Sequence, residues 1–320
     1  MLNTASKNIN IAVFRGGKNN HGASMKSGQN IISLLARNGI NVNDVYLDDE
    51  GNFIKNGLSA DRHQILMNLD GYIDTTDHHN LSHHDLASRM GLKNIISHKE
   101  SIPVQVDREG IYRILRQSGV NVPKTFIIRK TENNLLHTAK EVWTKFHTPL
   151  LLRPLEYTSS RGSVLVKSFQ DLIKSVSEYH QHGNDVHILS YKSVPTFATA
   201  VVPNYRGEDY YTPLSVQTFV KKHEVPNRDS VVQVYIKAED DKKEKIKKLT
   251  KEVSRVLQIS GPVCIDVIPY KDDYMVVNVD LSPSLHDDSR FMQSLASTGV
   301  DLGNFIIKQI ANSKQNEKHE

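Results

Sequence analysis

The sequence predicts an α/β protein with some α+β character, and three features of the chain indicate this class. Near the N-terminus an apolar strand ends in Gly16-Gly17 and is followed by a helix and a second strand, the order typical of a doubly wound parallel sheet. Strand and helix patterns alternate through the middle of the chain. Close to the C-terminus, two β-rich segments flank a turn at 271–273 and predict an antiparallel hairpin.

The N-terminal elements follow from short apolar runs and helical spacing. Residues 9–14 form a short apolar run that predicts the first strand, and 42–47 and 70–74 are predicted as the second and third strands. Residues 27–38 carry apolar side chains at helical spacing, and 81–90 is predicted as a second helix. A Gly-Gly loop at the end of the first strand lets backbone amides approach a ligand closely.

The rest of the chain continues in the same manner, with a β-rich region before the C-terminal hairpin. The further predicted elements are helices at 107–118, 132–146, 169–182, 242–257 and 302–311, strands at 125–128, 148–154, 164–167 and 187–191, and strands within 195–235.

Composition is typical of an ordinary globular protein and excludes several function classes. The 320 residues are 38% hydrophobic and 24% charged, with a mean hydropathy of −0.44 and a net charge of +4. No basic stripe accompanies this charge, so we expect no nucleic-acid partner, and the lysines of 242–251 are predicted as the solvated face of an amphipathic helix. No apolar run approaches transmembrane length, so we expect no membrane partner and a cytoplasmic location. Cys264 is the only cysteine, which makes an intrachain disulfide impossible.

The C-terminal hairpin carries the residues most suited to a metal ion. Asp266 interrupts one apolar strand, and Asn278 and Asp280 stand two apart on the next, so the latter two share a face. Oxygen ligands of this kind suit Mg²⁺, which in turn usually brings the phosphates of a nucleotide. The alternative is a hairpin whose polar residues simply face solvent.

Several short motifs stand in one order along the chain. They are Gly16-Gly17 with Ser24-Met25-Lys26-Ser27-Gly28, Asp107-Arg108 with Gly119-Val120-Asn121-Val122-Pro123, Arg153-Pro154 with Ser159-Ser160-Arg161-Gly162, and Ile265-Asp266-Val267 with Asn278-Val279-Asp280-Leu281-Ser282-Pro283. In this order and spacing the chain resembles the D-alanine–D-alanine ligase family, as a divergent member, over nearly its whole length.

The resemblance implies the ATP-grasp architecture and a domain organisation. An N-terminal pre-ATP-grasp α/β domain would span 1–104, a small lobe 105–192 and a large lobe with the metal hairpin 193–312, with a disordered tail at 313–320. The implied activity is an ATP-dependent carboxylate–amine ligase that forms an acyl phosphate and then a dipeptide for a peptidoglycan precursor. The implied partners are amino acids such as D-alanine and a second copy of the chain, which would dimerise through the N-terminal domain.

The resemblance also implies which residues bind the nucleotide. Arg108 and Arg153 stand at positions where the family has lysines on the ATP phosphates. Ser159, Ser160 and Gly162 stand in its phosphate loop. For Arg108, a charge on a helix surface is the alternative interpretation.

The same comparison implies the metal and substrate residues. Asp266, Asn278 and Asp280 would hold one or two Mg²⁺ ions. Ser159, Ser284 and Ser289 would orient substrate or contribute to catalysis. For Ser289, an N-cap of the following helix is the alternative.

Other positions depart from the family and keep two alternatives open. Asn278 and Asp280 have the family's metal ligands in reversed order, and Cys264 stands where the family has an arginine at the reacting centre. Leu189 and Thr196 stand near positions of glutamates that contact the nucleotide. The chain is therefore a ligase of the family's kind, a ligase for another substrate pair, or a degenerate protein that binds nucleotide without ligation.

A histidine-rich stretch at 78–84 offers one further hypothesis. His79 and His83 are four apart and would share a helix face, a spacing that suits Zn²⁺. A polar helix start is the alternative.

Overall fold

The computed structural model of the chain describes residues 9–17, 21–76, 82–96, 108–155, 163–220, 231–235 and 240–316. The chain divides into two compact units. The terminal unit comprises Met1–Lys99, Ser260–Val263 and Leu281–Glu320, and the central unit comprises Glu100–Ile259 and Cys264–Asp280. Every helix within the described ranges is too short or too polar to cross a membrane.

The terminal unit is built on a five-stranded sheet with the order β4-β3-β2-β1-β5. Strands β2 and β5 both run parallel to β1, whereas β3 and β4 are antiparallel additions beside β2. The predicted parallel arrangement is therefore confirmed for the three strands at β2, β1 and β5. The strand bounds are β1 Asn10–Gly16, β2 Asn41–Leu47, β3 Phe53–Lys55, β4 Leu58–Ser59 and β5 Gly71–Asp74.

The β3–β4 hairpin is absent from the sequence-based prediction, although its turn carries a clear signal. Asn56 and Gly57 connect the two strands, with φ of 52° and 79°. A two-residue turn of this type needs positive φ at both central positions, and Asn-Gly is the pair that adopts it most readily.

In the described part of the terminal unit, five helices accompany this sheet. Their bounds are α1 His21–Arg37, α2 Arg62–Leu66, α3 Ser82–Arg89, α8 Arg290–Ala296 and α9 Leu302–Asn316. Helix α1 begins six residues before the predicted start and therefore includes Ser24 as well as Ser27. Both serines are buried. A hydrophobic core of this unit contains Phe14, whose ring lies against the rings of Phe53 and Tyr72.

The central unit contains a four-stranded antiparallel sheet with the order β6-β9-β7-β8. Its strands are β6 Thr125–Ile128, β7 Leu150–Pro154, β8 Val164–Val166 and β9 Val186–Ser190. The nearby helices are α4 Arg108–Gln117, α5 Leu135–Lys145 and α6 Phe169–Gln181. Buried apolar side chains of α5 and α6 pack with those of β7 and β9 in one core, which fixes the strand that carries Arg153.

A second sheet of the central unit has the order β13-β12-β10-β14-β15, with β11 paired to β10. Its strands are β10 Thr196–Tyr205, β11 Glu208–Tyr211, β12 Val216–Val220, β13 Val231–Tyr235, β14 Val263–Tyr270 and β15 Asp273–Asp280. The basic helix α7, Asp240–Val256, buries Ile246 and Val253 while several of its lysines stay exposed, as its amphipathic pattern predicts.

Candidate functional site

The predicted hairpin is present, and it brings four side chains to one face. Strands β14 and β15 pair antiparallel, with Asp266 opposite Asn278 and Cys264 opposite Asp280. Because residues two apart on a strand share a face, all four project from the same side. Asn278 Nδ2 donates to Asp266 Oδ2 across 3.3 Å. Asp266 and Cys264 are buried, which excludes a plain solvent face for this half of the hairpin.

The hairpin contacts helix α4 at a bulge, and next to the bulge Val276 N donates to the carbonyl of Asn121, in the turn that follows α4, at 2.9 Å. The register passes from Asp266–Asn278 to Val267–Val276, so Val277 is the extra residue of β15. The carbonyl of Val277 accepts a hydrogen bond from Tyr112 Oη at 2.5 Å.

Arg108 begins helix α4 beside this hairpin. Its side chain is buried, and Nη2 donates to Asn278 Oδ1 across 3.4 Å. Burial and the neighbouring Arg153 lower the pKa of the Arg108 guanidinium to about 9, while the charges of Asp280 and Asp266 act in the opposite direction. The side chain therefore remains a cation at neutral pH. The alternative of a helix-surface charge is wrong for Arg108.

Arg153 is the second buried cation of the site, and it lies on β7. Its Nη2 donates to Tyr112 Oη at 3.2 Å, and its Nε donates to His187 Nδ1 at 3.2 Å. Since Tyr112 also contacts Val277, one hydroxyl connects Arg153 to the metal-competent hairpin. The two arginines, the tyrosine and the hairpin face form one cluster within the central unit.

A histidine and a glutamate complete the surroundings of Arg153. Burial lowers the pKa of His187 to about 4, and the positive charge of Arg153 acts in the same direction, so the imidazole is neutral at pH 7. Its Nε2 lies 3.4 Å from Oε2 of Glu109. Burial raises the pKa of Glu109, but hydrogen bonds from His187 and Thr125 outweigh that effect and lower it overall. Glu109 is therefore an ionised acceptor.

Sequence reasoning missed Tyr112 and His187, and each carried a weak signal. Tyr112 is four residues after Arg108 and thus on the same helix face. His187 is a polar residue inside a buried apolar strand, directly opposite Arg153 in the sheet register. A polar side chain at such a position needs hydrogen-bond partners, and a buried cation is one of them.

The donor set of the hairpin fits one divalent cation. Asp266 and Asp280 supply two carboxylates, and Asn278 supplies an amide oxygen on the same face. Oxygen donors of this type match the preference of Mg²⁺. Among the described residues, no group of three histidine, cysteine, aspartate or glutamate side chains could hold a metal, so the hairpin offers two carboxylates and an amide oxygen rather than three carboxylates.

The terminal unit gathers the glycine loop and the serine motif into a separate polar cluster. Gly16 N donates to Ser24 Oγ across 2.8 Å, and Thr75 Oγ1 donates to the carbonyl of Phe14 at 2.9 Å. A Cβ on Gly16 would lie 2.5 Å from the carbonyl oxygen of Leu47, and φ there is +100°, so the loop requires glycine.

Two of the predicted substrate serines, Ser284 and Ser289, lie in this terminal unit. Ser289 caps helix α8, because its Oγ accepts from Met292 N at 3.1 Å. Ser284 is half-buried next to Leu285, whose backbone N donates to Ser27 Oγ. Any contact of Ser284 or Ser289 with substrate stays a prediction. Ser159, Ser160 and Gly162 lie outside the described residues.

The histidine-rich stretch yields one buried pair. His83 Nε2 lies 2.9 Å from Asp74 Oδ2, and both side chains are almost fully buried. His79 lies outside the described residues. In the described part of the stretch, His83 is engaged by a carboxylate of its own unit.

Comparison with known proteins places the chain in a family. A family model described as "D-ala D-ala ligase C-terminus" matches residues 114–311, which is more than half of the chain. The chain belongs to the D-alanine–D-alanine ligase family. This membership confirms the resemblance found in the sequence, and it confirms the prediction of a ligase.

Individual members of the D-alanine–D-alanine ligase family are similar at low identity. A D-alanine–D-alanine ligase of Francisella philomiragia subsp. philomiragia is 22% identical over 225 residues, covering 69% of this chain and 71% of that relative. Two solved structures with a similar fold are those of the VanG D-Ala:D-Ser ligase from Enterococcus faecalis and of the D-alanine–D-alanine ligase from Bacillus anthracis complexed with ATP. Their TM-scores are 0.76 and 0.73, each at 15% identity, covering 96% and 97% of this chain and 99% of each structure. At such identities the likeness shows the fold, which confirms the predicted ATP-grasp architecture.

Proposed function

We propose that the protein is an ATP-dependent carboxylate–amine ligase that joins two amino acids, with D-alanine as the first substrate to test. The observation that carries the proposal is the cluster in the central unit. Two buried guanidinium groups, Arg108 and Arg153, stand beside a hairpin face that carries Asp266, Asn278 and Asp280.

The charges of this cluster suit a nucleotide with a metal ion. Guanidinium groups bind phosphate through charge-assisted hydrogen bonds, and burial strengthens each contact. Two adjacent carboxylates would repel phosphate on their own. A divalent cation held by Asp266 and Asp280 removes that repulsion, so the cluster is best matched by a polyphosphate that carries Mg²⁺.

The reaction proceeds in two balanced steps. A carboxylate oxygen of the first amino acid attacks the γ-phosphorus of ATP, the bond from that phosphorus to the bridging oxygen breaks, and ADP leaves. The amine of the second amino acid attacks the acyl carbon, the carbon–oxygen bond to phosphate breaks, and an amide forms with loss of one proton. Phosphate therefore departs with an oxygen from the substrate carboxylate.

The residues of the chain contribute position and charge. Arg108 and Arg153 hold phosphate oxygens and stabilise the charge that moves during transfer. Asp266, Asp280 and the amide oxygen of Asn278 would hold Mg²⁺, which supplies neutralisation of phosphate charge when bound. Ser159, Ser160 and Gly162 belong to the proposed phosphate loop, and Ser284 and Ser289 to the proposed substrate side.

The names of the relatives also suggest a product, which we include in the same proposal. The curated and structural relatives are named as D-alanine–D-alanine or D-Ala:D-Ser ligases, so a dipeptide for a peptidoglycan precursor is the expected product. A cytoplasmic site of action, a homodimer through residues 1–104 and the lobe boundaries at 105–192 and 193–312 complete the proposal.

The experiment is phosphate release from ATP and Mg²⁺ with D-alanine. We expect release that depends on both ATP and amino acid and that falls strongly in Asp280→Asn. If ATP stabilises the protein but no amino acid gives phosphate release, the protein binds nucleotide without ligation, and the proposal is contradicted.

Cys264 favours a second candidate, a ligase for another substrate pair. The residue is buried opposite Asp280, at a place where the family resemblance implies a cationic arginine. A neutral side chain there changes the charge offered to the reacting groups. Phosphate release with another amino or hydroxy acid, and none with D-alanine, would support this candidate.

A further inference from the structure

His187 occupies an unusual place for a polar side chain. It lies on β9 with no exposed surface, directly opposite Arg153 of β7. Its strand neighbours, Val186 and Ile188, are fully buried apolar residues. An imidazole in such a strand is costly unless its nitrogens are hydrogen-bonded.

The hydrogen bonds of His187 define its tautomer. A guanidinium group can only donate, so the 3.2 Å contact from Arg153 Nε requires a lone pair on His187 Nδ1. The ring proton therefore resides on Nε2, which donates to Glu109 Oε2 across 3.4 Å. The low pKa of about 4 that burial gives His187 keeps this neutral form at pH 7. Glu109 thus orients the ring, and the ring orients the arginine.

Arg153 is held along one edge of its guanidinium group. Nε donates to His187, and Nη2 donates to Tyr112 Oη. Within the described ranges of the chain, Nη1 makes no hydrogen bond. One nitrogen of a rigidly held cation is therefore available to an anionic ligand.

We propose that His187 is a positioning residue that fixes the Nε edge of Arg153, so that Nη1 is presented to a phosphate of the nucleotide. This inference rests on the proposed function, because it needs a nucleotide at Arg153. His187 itself touches neither nucleotide nor substrate. His187 holds the Arg153 side chain in place before the nucleotide binds. Binding therefore costs less conformational entropy than it would with a freely rotating arginine.

The test uses two variants of similar size that differ in one acceptor. His187→Asn places an amide oxygen near the position of Nδ1 and can still accept from Arg153 Nε. His187→Leu fills the same space without an acceptor. Calorimetric titration with ATP and Mg²⁺ gives Kd for wild type and both variants, and the phosphate-release assay gives KM and kcat.

His187→Leu is expected to raise Kd and KM for ATP roughly three- to tenfold, which is the cost of immobilising one long side chain. We expect kcat to change less than KM, and His187→Asn to restore most of the affinity. Affinities of His187→Leu equal to wild type, or equal losses in both variants, would overturn the inference while leaving the proposed function intact. A wild type that neither binds ATP nor releases phosphate would overturn both.

A measurement on the wild type keeps the inference testable if His187→Leu does not fold. The ¹⁵N chemical shifts of the assigned His187 ring report which nitrogen carries the proton. We expect an unprotonated Nδ1 and a protonated Nε2 at pH 7. A protonated Nδ1 would overturn the inference, because such a ring cannot accept from Arg153.

Discussion

Arg153 Nη2 donates to Tyr112 Oη across 3.2 Å, and that hydroxyl donates onward to the carbonyl of Val277. The tyrosine therefore connects a cation on one sheet of the central unit to the bulge of the hairpin that carries Asp266 and Asn278. This chain of hydrogen bonds holds the proposed phosphate and metal residues in one arrangement.

Tyr112→Phe is expected to weaken ATP binding as well as the fold. Loss of the hydroxyl leaves the Val277 carbonyl without its donor and removes one partner of Arg153. We expect about 1–2 kcal/mol less free energy of unfolding, together with a higher Kd for ATP. Urea denaturation and calorimetric titration measure the two effects.

The control for that prediction is Tyr179→Phe. Its hydroxyl also donates to a backbone carbonyl of the central unit, that of Leu152 at 3.3 Å. It should lower stability without changing the affinity for ATP. Equal losses of affinity in the two variants would contradict a specific role for Tyr112.

Asp266→Asn and Asp280→Asn are expected to abolish most of the Mg²⁺ dependence of ATP binding. Each replaces one of two carboxylates with a neutral amide, and one carboxylate holds a divalent cation poorly. We expect the gain in ATP affinity on adding Mg²⁺ to shrink by at least about tenfold. Asp272→Asn, in the exposed turn of the same hairpin, is the matched control and should behave as wild type. An unchanged Mg²⁺ effect in Asp266→Asn and Asp280→Asn would place the metal elsewhere.

His187 makes the stability of the fold sensitive to mild acid. Its pKa is about 4 in the folded chain against an ordinary 6.5, so between these values the unfolded chain binds a proton that the folded chain does not. The free energy of unfolding therefore falls as pH falls through this window, by about 2 kcal/mol between pH 7 and pH 5. The contribution is fully present only above pH 6.5.

Urea denaturation of wild type and His187→Asn at both pH values isolates this effect, because all other titrating groups are shared. The variant should lose less stability on acidification than the wild type does. Parallel losses in the two proteins would show that His187 titrates normally.

His83→Leu tests whether the histidine of helix α3 is structural. Removing it takes the imidazole hydrogen bond away from the buried Asp74 carboxylate, which typically costs about 1.5–3 kcal/mol. His63→Leu, on an exposed position of α2, is the control and should change stability little. Addition of Zn²⁺ should leave the wild-type unfolding transition unchanged. A Zn²⁺-dependent rise in stability that disappears in His83→Leu would instead support the zinc hypothesis.

Sequence alone was sufficient for features that depend on local pattern. The two β-rich runs on either side of the 271–273 turn predicted the hairpin, and the spacing of two between Asn278 and Asp280 predicted their shared face. Helical spacing predicted the C-terminal end of α4 to within one residue. These features depend on residues close together in the chain, so the local sequence pattern is enough to predict them.

Features that depend on long-range register could not be read in the same way. His187 meets Arg153 only because β9 pairs with β7 in one register, between residues 34 positions apart. Tyr112 meets Val277, 165 positions further along the chain, because helix α4 packs against β15. A shift of one residue in the β9–β7 pairing would move the His187 side chain to the opposite face.

The most direct test of the account follows one oxygen atom. D-Alanine labelled with ¹⁸O in its carboxylate is incubated with the protein, ATP and Mg²⁺, and the released phosphate is examined by mass spectrometry. The proposed reaction predicts that each turnover releases phosphate carrying one ¹⁸O. The dipeptide lacks that one oxygen, which came from the carboxylate of the first D-alanine. Unlabelled phosphate, released while D-alanine is consumed, would contradict the acyl-phosphate ligase.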